Sequence, residues 1–499
     1  MPAAPSVAII GAGFGGVATA VQARRAGIED IVILDRAPRV GGVWEANTYP
    51  GAACDVPSHL YSLSFAPNPR WSRRFSPQPE IRSYLEGVVR DFGLEPLLRL
   101  GQDVVSATWD EQRGRWQLEV EGGPDLECDV LIPACGQLTR PSVPDLPGMD
   151  GFAGDAFHSA WWDHDVDLRG RRVAVIGTGA SAIQFVPEIA PLAGSVSVFQ
   201  RSAPWTLPKL DTAYRGVAQR LYARSPRVQE ALRSAWRGSL ESLAPVFTGR
   251  PRLRARASSA VTTALSDLQR RVQFRGDPVL RAATRPDYPL GCKRILITSD
   301  WYRALARPDV DLVTSAIGEV RADGIVTADG RLHEADVVIF GTGFTATEFL
   351  APMEVTGRDG ASLRDTWAAG AAAYFGMAVP RFPNMFVIYG PNTGHGTGSA
   401  IDMLEAQAGY VAQALRLIAG GSAERLEVRQ DVHDGFQREL AERLQSTVWT
   451  AGCGSWYVND AGRVTANWPG MPGEYLRRTA RLEVADFQTR VAPAPATAV

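Results

Sequence analysis

The sequence predicts an α/β protein with two parallel-sheet domains, the first interrupted by the second, and a helical subdomain. Three observations lead to this fold class. A buried strand followed by a glycine-rich turn and a helix occurs near the start of the chain and again after residue 172. Two later apolar strands also run into glycines, and residues 208–290 are helical and rich in arginine, alanine and leucine. Strands that alternate with helices are typical of parallel sheets.

The first repeat predicts a dinucleotide-binding unit of the Rossmann type. An apolar strand at 7–10 enters a glycine-rich turn, a helix follows, and a second strand ends at Asp35. The glycines permit a tight turn, close approach of a pyrophosphate and close packing of helix on strand. The helix N-terminus offers N–H donors to phosphates, and Asp35 accepts from ribose hydroxyls, which favours a dinucleotide with a free 2′-hydroxyl. The predicted contacts in the turn are Gly11, Gly13, Phe14, Gly15 and Gly16.

The second repeat matches the first in register and differs at the ribose. Strand 173–176 enters a turn that contains Gly177, Thr178 and Gly179. The same number of positions separates Gly13 from Asp35 and Gly179 from Arg201. Because a guanidinium binds a phosphate in bidentate fashion, Arg201 beside Ser202 predicts a preference for NADP over NAD at this second site.

The order of these segments predicts a first domain split around an inserted second one. Strands 130–133 and 337–340 both run into glycine-containing turns, and we expect such junctions to return the chain to the first domain. The predicted boundaries are 1–145 and 336–490 for the first domain, 146–207 and 291–335 for the second, 208–290 for the helical subdomain, and 491–499 for a disordered tail.

The composition is that of a globular protein and excludes several classes of function. The chain has 499 residues, of which 45% are hydrophobic and 21% charged, close to the average for globular domains. A net charge of −2 provides no basic field for nucleic acid or anionic lipid. No signal peptide and no membrane span are predicted. We therefore expect neither a nucleic acid nor a membrane as a partner.

The cysteines predict a reduced protein without a metal. Their number is odd and none form a C-x-x-C pair; they are Cys54, Cys128, Cys135, Cys292 and Cys453. We therefore expect a cytoplasmic protein with no redox disulfide, no structural zinc and no other metal site.

Four further segments stand out beside the two glycine-rich turns: Gly41-Gly42-Val43-Trp44 with the run 49–55, the spaced set Phe152, Gly154, His158, Trp162 and Asp163, the run Cys292-Lys293-Arg294, and Ser455-Trp456. Together they resemble the Baeyer–Villiger monooxygenases, a family of flavoenzymes that use FAD and NADPH. The first resembles the family's flavin-contact segment, and the second matches its fingerprint. The third resembles the segment with the family's catalytic arginine, and the fourth resembles its lid over the nicotinamide. The resemblance covers residues 5–487.

The resemblance implies site residues beyond the two glycine-rich turns. On the FAD side these are Gly42, Val43, Trp44, Asp55, Val56, Tyr61 and Val104. On the NADP side they are Ser181, Gln184, Arg201, Ser202, Lys293 and Trp456. The fingerprint implies a connection between the two domains, with His158 hydrogen-bonded to backbone rather than acting on protons.

The family's reaction inserts one oxygen atom of O2 beside a ketone carbonyl through a C4a-peroxyflavin, and an ester or lactone results. The flavin performs the chemistry, and the protein must stabilise the negative charge that develops on oxygen. A permanent cation meets this need, so Arg294 is the predicted catalytic cation and Asp55 the acid that orients it. The loop 390–399 departs from the best-known members, and this leaves the substrate class open.

Three other functions remain as alternatives at this point. The same scaffold oxygenates sulfur or nitrogen, with a sulfide or an amine as the substrate. A pyridine-nucleotide disulfide reductase shares the fold but needs a C-x-x-C pair, which this sequence lacks. A flavin-binding regulator without turnover has no need of Asp55, Arg294 and Arg201 together. The sequence does not indicate the oligomeric state.

Overall fold

The computed structural model describes residues 4–490, and the predicted tail at 491–499 lies outside this range. The described chain contains two parallel sheets that stand one on each side of a large cavity. The first sheet is formed, in spatial order, by Leu98–Leu100, Ile31–Asp35, Val7–Ile10 and Val130–Pro133. The second is formed by Val310–Val313, Ser195–Phe199, Arg172–Ile176, Val337–Phe340 and Asp155–His158.

Smaller sheets flank these two. An antiparallel sheet of Asp103–Asp110, Arg115–Glu121 and Leu126–Cys128, joined by Glu354–Thr356, packs on the first domain. Another consists of Ile317–Arg321, Gly324–Thr327 and Leu332–Glu334. Two pairs complete the strands: Thr206–Leu207 with Leu296–Ile297, and Arg425–Val428 with Phe487–Arg490.

The helices cover the faces of the sheets. Phe14–Arg25 packs against Ala400–Ala419, and both bury most of their apolar residues in the largest core. The other α-helices are Val43–Ala46, Gln78–Asp91, Ala182–Ile189, Gly216–Arg224, Pro226–Glu241, Ala244–Thr248, Arg252–Gln273, Pro278–Ala283, Trp301–Leu305, Leu363–Thr366, Gln430–Leu444 and Pro472–Arg478. Within residues 4–490, no helix is both long and apolar enough to cross a membrane.

The helical subdomain is attached to the first domain by a buried ionic cluster. Arg233 and Arg237, both on the helix Pro226–Glu241, donate to the carboxylate of Asp402, which is almost fully buried. Arg233 also pairs with Glu405. Removing one partner from such a cluster leaves a buried charge without compensation. The cluster therefore fixes the subdomain against the helix Ala400–Ala419.

One predicted strand belongs to the other domain. Val337–Phe340 does not return to the first sheet; it pairs in parallel with Arg172–Ile176 and Asp155–His158 in the second. The expectation for this strand is wrong, and the second domain extends beyond the predicted boundary at 335. The two junction strands are in fact equivalent: Val130–Pro133 lies beside the first repeat and Val337–Phe340 beside the second.

Candidate active site

A single cavity of about 1300 Å³ receives residues from both glycine-rich turns. It exceeds the roughly 300–1,000 Å³ of a pocket for one small ligand. Every predicted cofactor-binding residue except Gly16 lines it, and so does Arg294. The lining includes Gly11, Gly13, Phe14, Gly15, Asp35, Gly42, Val43, Trp44, Asp55, Val56, Tyr61, Val104, Gly177, Thr178, Gly179, Ser181, Gln184, Arg201, Ser202, Lys293 and Trp456.

Gly16 lies behind the cavity wall and has a packing role. A Cβ at this position would overlap the carbonyl oxygen of Gly11 and touch the side chain of Ile9. Gly11 itself has φ 116°, a conformation that favours glycine. The helix Phe14–Arg25 therefore lies directly against the strand that precedes it. Its N-terminus has no side-chain cap and no acidic residue in its first turn, which fits an anionic phosphate group.

Asp35 is held by backbone at the edge of the same cavity. One carboxylate oxygen accepts from the N–H of Ala12 at 2.6 Å and the other from that of Ala37 at 2.8 Å. Burial raises the pKa of Asp35, and the two N–H donors oppose that rise. The carboxylate is fixed where the second strand ends, the position predicted for a ribose contact.

Aromatic side chains form the wall beyond the first turn. The indole N–H of Trp44 donates to the hydroxyl of Tyr61 at 3.0 Å, and the two rings meet edge to face. Phe14 packs edge-on against Tyr61 with centroids 5.4 Å apart. Gly42, with φ 57°, brings its backbone close to Gly13. This region is apolar and closely packed, and it suits a flat ring system.

Two cations converge at the second turn. The ammonium of Lys293 donates to the hydroxyl of Ser202 at 3.0 Å and lies 4.7 Å from the ring centre of Tyr288. Burial and the charge of Arg201 both lower the pKa of Lys293. A site where one cation disfavours the charge of its neighbour is suited to an anion with more than one negative charge. A 2′-phosphate has that charge.

Arg294 and Asp55 form an ion pair that faces the cavity. Nε and Nη2 of Arg294 donate to Oδ2 of Asp55 at 2.9 and 2.5 Å. The side chains are 38% and 31% exposed, and both line the cavity. The neighbouring carboxylate raises the pKa of Arg294 further above its ordinary value. The guanidinium thus stays charged, and Asp55 fixes its direction.

Three tyrosines that were not predicted as site residues lie near Arg294 or Lys293. Burial raises the pKa of Tyr457 to about 12, and the charge of Arg294 opposes that rise. Tyr389 lines the cavity with φ 59°. Tyr288 lies under Lys293. The one local signal was the position of Tyr389 before Gly390-Pro391; the others depend on tertiary contacts.

His395 also lines the cavity, within the loop that departs from the resemblance. Its Nε2 lies 3.2 Å from the carbonyl oxygen of Ser399, and burial lowers its pKa. The loop therefore contributes directly to the surface that a substrate meets.

The five fingerprint residues lie outside the cavity lining and form a joint between elements. Trp162 packs on Phe157 and on Phe185, a residue of the helix that follows the second turn. A Cβ at Gly154 would overlap the carbonyl oxygen of Asp336. Phe152 packs against the core of the second sheet, which includes Ile176 and Val338. The remaining two have local roles: the Nδ1 of His158 accepts from the N–H of Ala160 at 3.0 Å, and Asp163 accepts from the N–H of Asp165.

The run 49–55, which resembles the family's flavin-contact segment, touches the second domain directly. The side-chain oxygen of Gln184 accepts from the N–H of Ala53 at 2.8 Å, and Tyr49 packs edge-on against Phe185. A Cβ at Gly51 would lie 2.9 Å from the carbonyl oxygen of Gln184. The segment that ends at Asp55 is therefore positioned by the helix of the second repeat.

The structure corrects the prediction for the cysteines. Cys292 and Cys453 form a disulfide, with Cα atoms 6.4 Å apart and a separation of 161 positions in the sequence. The expectation of no disulfide is wrong. Cys54, Cys128 and Cys135 are free thiols. Among residues 4–490 no group of three or more metal-ligating side chains comes together.

Comparisons with known proteins agree with this geometry. The pattern of the pyridine nucleotide-disulphide oxidoreductase family matches residues 8–237. A Baeyer-Villiger monooxygenase of Streptomyces coelicolor is 46% identical over 492 residues, which are 98% of this chain and 93% of that protein. A Baeyer-Villiger monooxygenase of Pseudomonas aeruginosa is 41% identical over 493 residues, 98% of this chain and 92% of that protein.

Solved structures give the same result for the fold. A steroid monooxygenase bound to NADP superposes with a TM-score of 0.83 at 30% identity, over 96% of this chain and 97% of that one. The cyclohexanone monooxygenase from Rhodococcus sp. Phi1, bound to NADP+, gives a TM-score of 0.86 at 26% identity, over 99% of this chain and 100% of that one.

These relatives confirm several predictions. The two-domain α/β fold class, the cofactor pair FAD and NADPH, and flavin-dependent Baeyer–Villiger oxygenation are confirmed. Oxygenation of sulfur or nitrogen as the main activity is not favoured. The chain belongs to the Baeyer–Villiger monooxygenase family.

Proposed function

We propose that Arg294 is the fixed cation of ketone oxygenation and that Asp55 positions it. The observation that carries this proposal is their ion pair, which faces the cavity between the two glycine-rich turns. When bound, reduced FAD supplies the electrons that activate O2. The guanidinium stabilises negative charge on the activated oxygen and on the substrate oxygen, because it is charged at every working pH and already oriented. Asp55 keeps that orientation without touching the substrate.

The substrate is a small-molecule ketone, with O2 as the second reactant. The position of Arg294 supports this, since an attack on a carbonyl builds up more negative charge than oxygen transfer to sulfur. The solved relatives named for a steroid and for cyclohexanone act on molecules of different size. In this chain the substrate preference is set by the loop with His395 and by Tyr389, which both line the cavity. A panel of linear and cyclic ketones, with mass detection of products that gain one oxygen atom, tests the proposal.

FAD binds to the first turn and to the aromatic wall. The uncapped helix N-terminus at Phe14 holds the pyrophosphate, Asp35 the ribose, and the wall of Trp44 and Tyr61 the ring system. Val43, Val56 and Val104 complete the apolar lining. Gly177, Thr178, Gly179 and Ser181 take the pyrophosphate of NADPH in the same manner.

We expect the purified protein to be yellow, with FAD held tightly but without a covalent bond, and with no metal. The reason is that the FAD contacts described above are hydrogen bonds, backbone dipoles and apolar packing. Heat denaturation followed by chromatography of the released flavin, together with elemental analysis, checks this. Recovery of FMN, or of flavin still attached to the denatured chain, would show the assignment to be wrong.

Arg201 and Lys293 bind the 2′-phosphate of NADPH. We expect a preference for NADPH over NADH of at least about tenfold, because a charged hydrogen bond is worth roughly 1.5–3 kcal/mol. Arg201→Ala raises the KM for NADPH by at least about tenfold on the same reasoning and leaves the KM for NADH nearly unchanged. Arg169→Ala, at an exposed arginine outside the cavity lining, is the matched control. An equal rise for both coenzymes would remove Arg201 from the 2′-phosphate.

The remaining assignments follow from these sites. Residues around the first sheet form the FAD domain, those around the second form the NADP domain, and the fingerprint residues transmit relative rotation between them, with His158 in a hydrogen-bonding rather than a proton-transfer role. Trp456, which lines the cavity and is 37% exposed, covers the nicotinamide. A cytoplasmic location is supported by the three free thiols, which are typical of a reducing compartment.

A further inference from the structure

The disulfide joins two segments that both reach the cavity. Cys292 directly precedes Lys293 and Arg294, and Cys453 lies three residues before Trp456. Lys293, Arg294, Gly454 and Trp456 line the cavity, whereas the two cysteines do not. The disulfide therefore links the part of the cavity wall at Gly454 and Trp456 to the segment that carries Lys293 and Arg294. The sulfur atoms themselves do not line the cavity.

The two cysteines differ in access to solvent. Cys292 is fully buried, and Cys453 is half-buried. Their Cα separation of 6.4 Å lies within the range that a disulfide spans without backbone movement. Peroxide can thus reach Cys453 first, and the thiol of Cys292 is close enough to react next.

The chain around Cys453 has little to hold it apart from this bond. Gly452 and Gly454 have φ 75° and 49°, and a Cβ at either position would meet no atom within 4 Å. Trp456 packs on Tyr457 with centroids 4.3 Å apart. Glycines on both sides, with open space around them, allow this segment to take other positions when the cross-link is absent.

We propose that Cys292 and Cys453 are a peroxide-responsive thiol pair. Their disulfide holds the segment 452–456, which includes Trp456, against the cavity. When a flavin monooxygenase consumes NADPH and O2 without substrate, it releases NADP+ and H2O2. The Cys453 thiol loses its proton, the thiolate attacks H2O2 and the O–O bond breaks; a sulfenic acid forms, and the departing hydroxide takes up that proton as water. The Cys292 thiolate then displaces the second oxygen as water, and the disulfide results. Two thiols are oxidised, one H2O2 is reduced, and two waters leave.

The consequence for turnover is slower exchange of the nicotinamide coenzyme. With the segment tied down, Trp456 cannot leave the nicotinamide side of the cavity, so NADP+ release becomes limiting. This part rests on the proposed roles of Trp456 and Lys293. A dithiol reductant reopens the bond, which makes the inhibition reversible. The pair thus slows the enzyme when NADPH is being spent on peroxide.

The test uses the full-length holoenzyme, reduced with dithiothreitol, desalted and then treated with H2O2. Free thiols are alkylated, and the digest is searched by mass spectrometry for a peptide that links Cys292 to Cys453. NADPH oxidation and NADP+ release are followed in parallel. The variant is Cys453→Ser, and the matched control is Cys128→Ala, at a buried cysteine in the antiparallel sheet of the first domain.

We expect the thiol count of the wild type to fall by two, and turnover to fall about tenfold and recover with dithiothreitol. Cys453→Ser should keep its turnover after peroxide, and Cys128→Ala should respond like the wild type. The proposal is overturned if no linked peptide forms, if it forms without slowing NADP+ release, or if Cys453→Ser is inhibited equally. None of these readouts uses a ketone, so loss of ketone oxygenation alone counts against the proposed function and not against the thiol pair.

Discussion

Replacing Arg294 with alanine is expected to abolish ketone oxygenation while FAD is still reduced by NADPH. The guanidinium faces the cavity and is oriented by Asp55, and its proposed role is to stabilise charge that develops only after O2 is activated. Its loss should cost at least about 3 kcal/mol in the oxygenation step, which is more than a hundredfold in rate. The electrons of NADPH then reduce O2 to H2O2, which is released. Measurement of ester formed and H2O2 released per NADPH consumed gives the result directly.

Two further variants separate charge from position. Arg294→Lys keeps a cation but loses the fork that Asp55 holds, so it should retain part of the oxygenation activity. Asp55→Asn keeps the cation and removes its partner, and it should lower the ester yield without changing NADPH affinity. Ketone oxygenation by Arg294→Ala within about fivefold of wild type would remove this residue from the role, since a fixed charge at the reacting atoms is worth far more.

The second large effect is expected from Gly16→Ala. The added Cβ would overlap the carbonyl oxygen of Gly11 at the point where helix and strand lie closest. The helix Phe14–Arg25 must then move away from the first sheet, at a cost of about 3 kcal/mol or more in the free energy of unfolding. The turn that is proposed to hold the pyrophosphate moves with it, so FAD content should fall as well. Urea unfolding and the ratio of flavin to protein absorbance measure the two effects.

Gly87→Ala is the matched control, because Gly87 also lies within a helix, Gln78–Asp91. A Cβ there meets only the flexible end of Arg90, at 3.6 Å. Since alanine favours a helix over glycine by roughly 0.5–1 kcal/mol, this variant should be as stable as the wild type or more stable. Equal behaviour of the two variants would mean that the contact at Gly11 is not close enough to matter.

Both nucleotide units could be predicted from sequence because each is built from contiguous residues. The strand, the glycine turn, the helix and the residue that ends the second strand follow one another in the chain, and the described structure has them at the predicted places. The cavity lining at Asp35 and Arg201 follows from the same local order. The expected flavin contacts beyond the first turn, and the pair of Arg294 and Asp55, were assigned by resemblance. Arg294 and Asp55 are 239 positions apart in the sequence, so no local pattern links them.

Choices that depend on distant partners could not be predicted in this way. Val130–Pro133 and Val337–Phe340 are both buried apolar strands that precede a glycine-containing turn, and nothing within them indicates which sheet they join. The disulfide escaped prediction for the same reason, because Cys292 and Cys453 are 161 positions apart in the sequence and meet only through tertiary packing. The proximity of Tyr457 to Arg294 is likewise a tertiary contact.

In the proposed reaction this chain transfers one atom of O2 to the carbon framework of a ketone. The most direct test is a single turnover in which enzyme reduced with NADPH under argon is mixed with a ketone and oxygen-18 gas. We expect an ester or lactone whose ring or chain oxygen is one oxygen-18 atom, at close to one product per flavin, and almost none from Arg294→Ala. Unlabelled product, or labelled H2O2 alone from the wild type across the ketone panel, would contradict it.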